Sequence, residues 1–429
     1  MEKYLDLLKT EIQPAIGCTK PIAIAFGTFK LKEFFHIEVE DIEKIELYLS
    51  KNIIKNALDV GIPGTNYTGI PIASSLGLFA KSNIEDLKIL ENINKNEISK
   101  AEEFVKKDKI NFYFKENSPK LYIEINIHTL EDNFILVIEN AHTNITKIMK
   151  NSEVLYVNES FENEKCTSIV ESSIKEIFDF AKHIPLEKIG FLSEIINLNK
   201  LIAIEGLNKN YGLKVGKTLK DNIDKKFASD DIKNYAVFLT AAASDARMGG
   251  CLMPVMTNSG SGNQGITASL PVIAVAEKLA LSEKKLLRAL ALSSLITIHI
   301  KNKLGKLSAL CGVTVSAIGS GAGIIYLMKG NFENIESFVK NMIGNVTGMI
   351  CDGAKGTCAL KIATAVEASF NSLFLALDQS ITTRNVGIID NNLENSIDNM
   401  INLGAIGMEE TDKMIFDIMI KKTKDSCHI

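Results

Sequence analysis

Cys351 and Cys358 stand seven residues apart in Cys351-Asp352-Gly353-Ala354-Lys355-Gly356-Thr357-Cys358. A continuous helix would put both sulfurs on one face but about 10 Å apart along its axis, too far for one compact metal centre. Gly353 and Gly356 instead predict a bent chain feeding a helix that starts near Cys358, which can bring the two thiols together. Taken alone, the pair reads equally well as two small buried hydrophobes. Leu307-Ser308-Ala309-Leu310-Cys311-Gly312 adds a third thiol at the head of an uncharged run. Three thiolates suit zinc or an iron–sulfur cluster. Structural zinc prefers paired ligands only about two to four residues apart, and these spacings are unlike that.

Met256-Thr257-Asn258-Ser259-Gly260-Ser261-Gly262-Asn263-Gln264-Gly265 is a small, polar loop that leads into an apolar helical pattern. Backbone N–H groups at such a helix start can bind a carboxylate, with Ser259, Ser261, Asn263 and Gln264 as candidate substrate-binding residues. A plain turn with an N-cap is the competing reading. Arg247, one of three arginines in the chain, lies just upstream in Asp245-Ala246-Arg247-Met248-Gly249-Gly250. Its guanidinium suits bidentate carboxylate binding, or equally a structural ion pair. Pro14-Ala15-Ile16-Gly17-Cys18-Thr19-Lys20-Pro21 sets Cys18 in a rigid turn.

These residues need two kinds of scaffold. Residues 1–35 read as helical, 61–71 as a structured Gly/Pro loop and 97–107 as a charged helix. Strand-like alternation marks Ile42 to Tyr48, Ile110 to Phe114, Lys120 to His128 and Phe134 to Ala141, with a hairpin turn over Thr129 to Asn133. Helical spacing then dominates through 168–182, 189–206, 230–244, 266–280, 284–300, 335–350 and 358–377. The expected fold class is therefore α+β: an α+β domain with a small antiparallel sheet over 1–160, then a mostly helical catalytic domain over 161–429. The boundary is expected in the polar stretch 158–165.

Composition narrows the function classes. The chain has 429 residues, 46% hydrophobic and 23% charged, which is globular and long enough for two domains. A net charge of −4 gives no basic field for nucleic acid. The N-terminus, Met1-Glu2-Lys3-Tyr4-Leu5-Asp6, lacks the basic start and apolar run of a secretory signal. Seven cysteines, an odd number, argue against a disulfide framework and for a reducing, cytoplasmic setting. Ala309 to Met328 is uncharged and long enough to cross a membrane, but its polar Thr314, Ser316 and Ser320 favour a helix buried on all sides. The expected partner is a small molecule, with no nucleic acid and no membrane; a homo-oligomer stays open.

Together, Gly17-Cys18-Thr19 with Pro21, Arg247-Met248-Gly249-Gly250, Gly260-Ser261-Gly262-Asn263-Gln264-Gly265, Leu307 to Gly312, and Cys351 to Lys355 with Cys358 resemble the L-cysteine desulfidase family. That family is related to the α-type domain of iron–sulfur L-serine dehydratases. The resemblance runs from about residue 10 to about residue 375. It implies a [4Fe–4S] cluster held by Cys311, Cys351 and Cys358, and α,β-elimination of L-cysteine to pyruvate, ammonia and sulfide. Cys18 falls on the family's N-terminal cysteine, a fourth ligand or a catalytic thiol. His142 is the implied base, because the comparable dehydratases use a His beside a Thr in their α+β domain. Lys301, Lys55-Asn56 and Pro63-Gly64-Thr65 also look family-like, and Lys301 joins Cys18 and His142 as a candidate catalytic residue. Cys427 near the C-terminus matches a cysteine that caps the open iron in related dehydratases; an unstructured tail thiol is the plainer reading. One departure is Lys20, where the family usually has Glu. Three alternatives stand beside the desulfidase: an L-serine dehydratase, a non-catalytic iron–sulfur sensor, and a pyridoxal-phosphate lyase, for which no Lys is marked.

Overall fold

The computed structural model describes residues 1–81, 88–158, 172–305, 308–380 and 385–426. Its apolar side chains gather into two separate cores. One is built from residues between Ile22 and Ile148, joined by Phe416. The other takes Tyr4 to Ile12 and then residues from Ile174 to Ile401. The chain thus starts in the second core, crosses into the first, and returns. The expected boundary stretch falls largely on 159–171, outside the described residues.

The first core lies under a six-stranded sheet in the order β3-β2-β4-β5-β6-β7. Its strands are β2 (Ile42–Leu49), β3 (Ile110–Phe114), β4 (Tyr122–Thr129), β5 (Asn133–Glu139), β6 (Ile145–Lys150) and β7 (Glu153–Val157). Alternation decides which face is buried: Ile123, Ile125 and Ile127 of β4 and Phe134, Leu136 and Ile138 of β5 turn inward. Helices α2 (Thr19–Phe35) and α4 (Ile70–Phe79) pack on that face. The sheet is mixed rather than antiparallel, because β2 and β3 run parallel. A parallel pair needs a crossover, and here α3 (Lys51–Ala57), α4 and α5 (Lys95–Lys106) lie between the two strands. β4 and β5 form the expected hairpin. β6 and β7 extend it beyond the strands read from the sequence. The single helix expected over 1–35 is instead α1 (Glu2–Glu11), a short strand β1 (Pro14–Ile16) and α2; Pro14 and Gly17, at φ +55°, break it.

The second core is helical. α10 (Ile232–Met248), α11 (Gly262–Lys278) and α13 (Gly312–Leu327) are buried almost throughout. Around them pack α6 (Ile174–His183), the one-turn α7 (Leu186–Ile189), α8 (Ser193–Asn208), α9 (Val215–Asp224), α12 (Glu283–Leu304), α14 (Phe332–Val346), α15 (Cys358–Leu377) and α16 (Leu393–Asn402), and α17 (Glu409–Ser426) follows. The uncharged run becomes α13, with every residue but Gly312 and Tyr326 buried. Its small residues let neighbouring backbone approach: a Cβ at Gly319 would stand 2.5 Å from the Ser293 carbonyl oxygen of α12. Among the described residues one helix, α15, is long and apolar enough to cross a membrane, and 56% of that window is buried. It carries Lys361 and Glu367, and its open face holds Leu360, Phe374 and Leu375.

Backbone pairing joins the two parts. β1 forms an antiparallel ladder with β8 (Pro254–Met256), Ala15 opposite Val255. Gly61 N–H donates to Met248 O at 2.9 Å, and Gly64 N–H to Gly250 O at 3.0 Å. The Gly/Pro loop read at 61–71 therefore lies on the C-terminal end of α10.

Candidate active site

Cys311 and Cys351 sit on two chain segments that pair like a minimal ladder. Leu310 bridges Ile350, Cys311 N–H donates to Met349 O at 2.9 Å, and Cys351 N–H donates to Ala309 O at 2.6 Å. The Cys311 and Cys351 side chains interact directly. That interaction draws the Cys351 thiol down to about 6 despite its burial, helped by the Gly353 N–H and the charges of Lys55 and Lys361. The same interaction, with burial, pushes Cys311 well above the ordinary thiol range. Burial raises the Cys358 thiol, and the charge of Cys351 adds to the rise. The bend expected between Cys351 and Cys358 is present: residues 351–357 are irregular and α15 starts at Cys358.

Cys18 comes to the same place from the other core. It forms a small buried cluster with Val60 and Met248, against which Ala354 and Cys358 pack. Its sulfur donates to Asn56 O at 3.5 Å, and Asn56 Oδ1 accepts from Ala354 N–H at 3.1 Å. Cys18, Cys311 and Cys358 all stand at helix N-termini, those of α2, α13 and α15, where the aligned backbone dipoles favour thiolate. Thr19, next to Cys18, pairs through Oγ1 with His142 Nε2 at 3.1 Å. If Nε2 accepts, the imidazole proton rests on Nδ1; the converse tautomer reverses the roles.

Cations ring the thiols. Arg247 is 7% exposed and donates from Nη2 to Gly17 O at 2.7 Å. Burial pulls its guanidinium below the ordinary value, against the attraction of Cys18 and Cys358. Burial likewise lowers Lys301, with Cys351 and Cys311 pulling the other way; its ammonium donates to Gly305 O at 2.8 Å. Lys361 pairs with Asp352.

The substrate-binding candidates divide. Asn263 Oδ1 accepts from Arg247 Nη1 at 3.4 Å. Gln264 packs on Gly312, beside Cys311: a Cβ at 312 would lie 2.9 Å from its amide carbon. Ser261 caps α11 through Gln264 N–H. Ser259, at φ +49°, donates to Asn258 Oδ1 at 2.9 Å, and its N–H reaches Glu11 O, so its recorded bonds lead away from the cysteine segments. Arg247 Nε, Gln264 Oε1 and Thr314 Oγ1 are buried without a protein hydrogen-bond partner among the described residues. Buried polar atoms normally have partners, which makes these three available to a ligand. Thr314, on the first turn of α13, read in the sequence only as one of the polar residues interrupting an uncharged run, with no motif to mark it as a ligand group. Lys20 is half-buried at the start of α2. Cys427 and Cys166 lie outside the described residues.

A model of the serine dehydratase alpha chain matches residues 84–417. The chain belongs to the serine dehydratase alpha chain family. Relatives match across nearly their whole length. A UPF0597 protein of Parabacteroides distasonis is 43% identical over 425 residues, covering 98% of each chain. One from Oleidesulfovibrio alaskensis is 40% identical over 432 residues, again 98% of each. One from Clostridium perfringens is 42% identical over 427 residues, 99% of each. The family match names the serine dehydratases, a lyase chemistry, and not the desulfidases that the motifs resemble.

Whether the family's iron–sulfur chemistry fits this site depends on the donors. Among the described residues, no three His, Cys, Asp or Glu lie close enough to hold a single metal ion. A polynuclear cluster asks for thiolates set around a larger body. Three electrostatically linked thiols meet that donor requirement, and the charges of Lys55, Lys301, Lys361 and Arg247 can offset an anionic centre. In donor type and surrounding charge, the residues present suit the group.

Proposed function

We propose that the chain is a lyase that eliminates the β-substituent of a small amino acid at an iron–sulfur site, with L-cysteine as substrate. The observation that carries this reading is the backbone pairing that sets Cys311 and Cys351 side by side near Cys358, with Arg247 and the Thr19–His142 pair arriving on adjoining segments. Cys311, Cys351 and Cys358 would hold a [4Fe–4S] cluster. When bound, the cluster would supply a Lewis acid that polarises the leaving group.

The remaining work falls to the chain. Arg247, whose buried Nε is unpartnered, takes the substrate carboxylate, and Gln264, whose buried Oε1 is unpartnered, accepts from the substrate ammonium. His142, oriented by Thr19, removes the Cα proton as a neutral imidazole. The Cβ–S bond breaks, and its electron pair leaves with the sulfur as HS⁻. Lys301, close enough to Cys311 and Cys351 to feel their charge, supports the departing anion with its positive charge. The released aminoacrylate tautomerises to the imine, and water converts that to pyruvate and ammonia. Cys18, packed beside Cys358, is a fourth ligand or a catalytic thiol.

L-Serine dehydration is the second reading, and the family match favours it. It uses the same residues with water as the leaving group. Anaerobic purification with iron and sulfide analysis, followed by incubation with L-cysteine and L-serine, tests both. Sulfide and pyruvate formed faster from cysteine support the first reading. Faster pyruvate from serine transfers the assignment to the dehydratase. A loaded protein that turns over neither is a sensor. Turnover by iron-free protein with a pyridoxal absorbance band overturns the cluster reading. Size-exclusion chromatography of the same preparation gives the oligomeric state.

A further inference from the structure

The chain after α16 touches one cysteine arm directly and reaches the other through Lys55. Residues Leu403–Gly407 form a wide helical turn. The Gly404 carbonyl accepts the Ser308 hydroxyl at 2.6 Å, and a Cβ at Gly404 would stand 2.9 Å from the Leu310 side chain. Farther on, Asp412 of α17 receives Lys55 Nζ at 2.5 Å and Lys51 Nζ at 2.6 Å. Lys55 is 7% exposed, and it also donates to the Cys351 carbonyl at 3.2 Å. Phe416 anchors α17 in the α+β core, edge-on to Phe114 with ring centres 4.8 Å apart. A single strap therefore leaves the helical core with α16, passes Ser308 to Leu310, and ends on the α+β core.

We infer that this strap positions the cysteine arms: Asp412 orients Lys55, and Lys55 holds the Cys351 carbonyl, so docking of α17 fixes where Cys351 stands relative to Cys311. The physical reason is the cost of an unpaired buried ammonium. With Asp412 in place, Lys55 stays inside and keeps a donor for Cys351. Without it, Lys55 must turn toward water and the carbonyl is released. The Gly404 contacts hold the partner arm from the other side. Lys51 shares Asp412 but has no bond to Cys351 among those described, so it serves as the control. The inference rests on the reading that these thiols hold a cluster, and Lys55 and Asp412 act as positioning residues rather than catalytic ones.

The test uses the full chain, purified anaerobically, with Lys55→Met, Lys55→Arg, Asp412→Asn and Lys51→Met. Two properties are followed: the rate at which a chelator bleaches the cluster absorbance, and, in metal-free protein, backbone amide exchange over residues 349–353. Lys55→Met and Asp412→Asn are expected to lose cluster about tenfold faster and to exchange about tenfold faster at 349–353. Lys51→Met should stay within about twofold of the parent on both measures, and Lys55→Arg should recover most of the lifetime. Parental lifetime and exchange in Lys55→Met would overturn the inference. So would Lys51→Met behaving like Asp412→Asn, which would make helix docking alone the cause. If the parent protein holds no iron, the cluster reading fails, and the exchange rates still decide whether the strap positions the arm.

Discussion

Gly353 has a φ of +94°, and a Cβ there would lie 1.9 Å from the Lys55 carbonyl oxygen. Both constraints come from the turn that carries the chain from Cys351 towards Cys358. A left-handed conformation costs a non-glycine residue roughly 1–3 kcal/mol, and backbone on one side of the clash cannot move without disturbing α3. Gly353→Ala should therefore fold with a lower thermal midpoint and bind little iron, while Gly356→Ala, whose Cβ would meet nothing nearer than 3.6 Å, should behave like the parent. Equal iron content in the two variants would show that the turn is not what gathers the thiols. His142 poses the complementary case, a residue placed for chemistry rather than for shape. Its bond to Thr19 joins half-buried partners and involves no cysteine, so His142→Gln should leave the cluster spectrum unchanged. Turnover should fall by about a hundredfold or more, the scale of a lost general base. Retained turnover removes His142 from the mechanism.

At the scale of elements, Glu394 pins α16 to α12 and α6. Its carboxylate accepts from His299 at 2.9 Å, Lys303 at 3.2 Å and the Ile174 N–H at 2.8 Å. Burial alone would raise its pKa, but these donors outweigh it and hold Glu394 at about 2, below its ordinary 4.5. The charged form is the one the fold prefers. The stabilisation is thus complete above pH 4.5 and disappears as pH falls through about 2. A shift of this size corresponds to about 3 kcal/mol, and partial exposure of the side chain trims that to about 2. Glu394→Gln should melt lower at pH 7 and show a flatter decline in midpoint between pH 5 and 3; parallel declines would mean that other carboxylates dominate. Elements like these differ in how plainly the sequence announces them. The β4–β5 hairpin and α15 were legible because alternation and helical spacing are local. The parallel β2–β3 pair was not, since nothing in either strand records a partner beyond three intervening helices. The site divides in the same way. Gly353 and Gly356 announced the bend between two cysteines, whereas Lys55, though part of a family-like motif, stands 357 residues from Asp412, and nothing local pairs the two until the fold joins them.

At the scale of the molecule, the candidate site lies where two separately buried cores meet, and little apolar surface is shared between them. The described bonds across the seam include the β1–β8 ladder, the Gly61 and Gly64 backbone bonds, Arg247 on Gly17, Ala354 on Asn56, Lys355 on Asp59, and the strap at Lys55. Among the described residues, the small cluster of Cys18, Val60 and Met248 buries side chains between them. Cohesion within a core comes mainly from apolar burial, so a seam built chiefly of hydrogen bonds should let one core open before the other. Leu136 is fully buried at the centre of the α+β core. Leu136→Ala removes that packing at a cost of about 2–5 kcal/mol. Amide exchange should then accelerate in β2, β4 and β5 while α11 and α13 keep their protection. Activity should disappear on heating before helical ellipticity does, because Cys18 and His142 leave with the α+β core and the three other thiols stay behind. If α11 and α13 lose protection by the same factor as the sheet, the two cores unfold as one unit, and the seam contributes as much cohesion as the cores themselves.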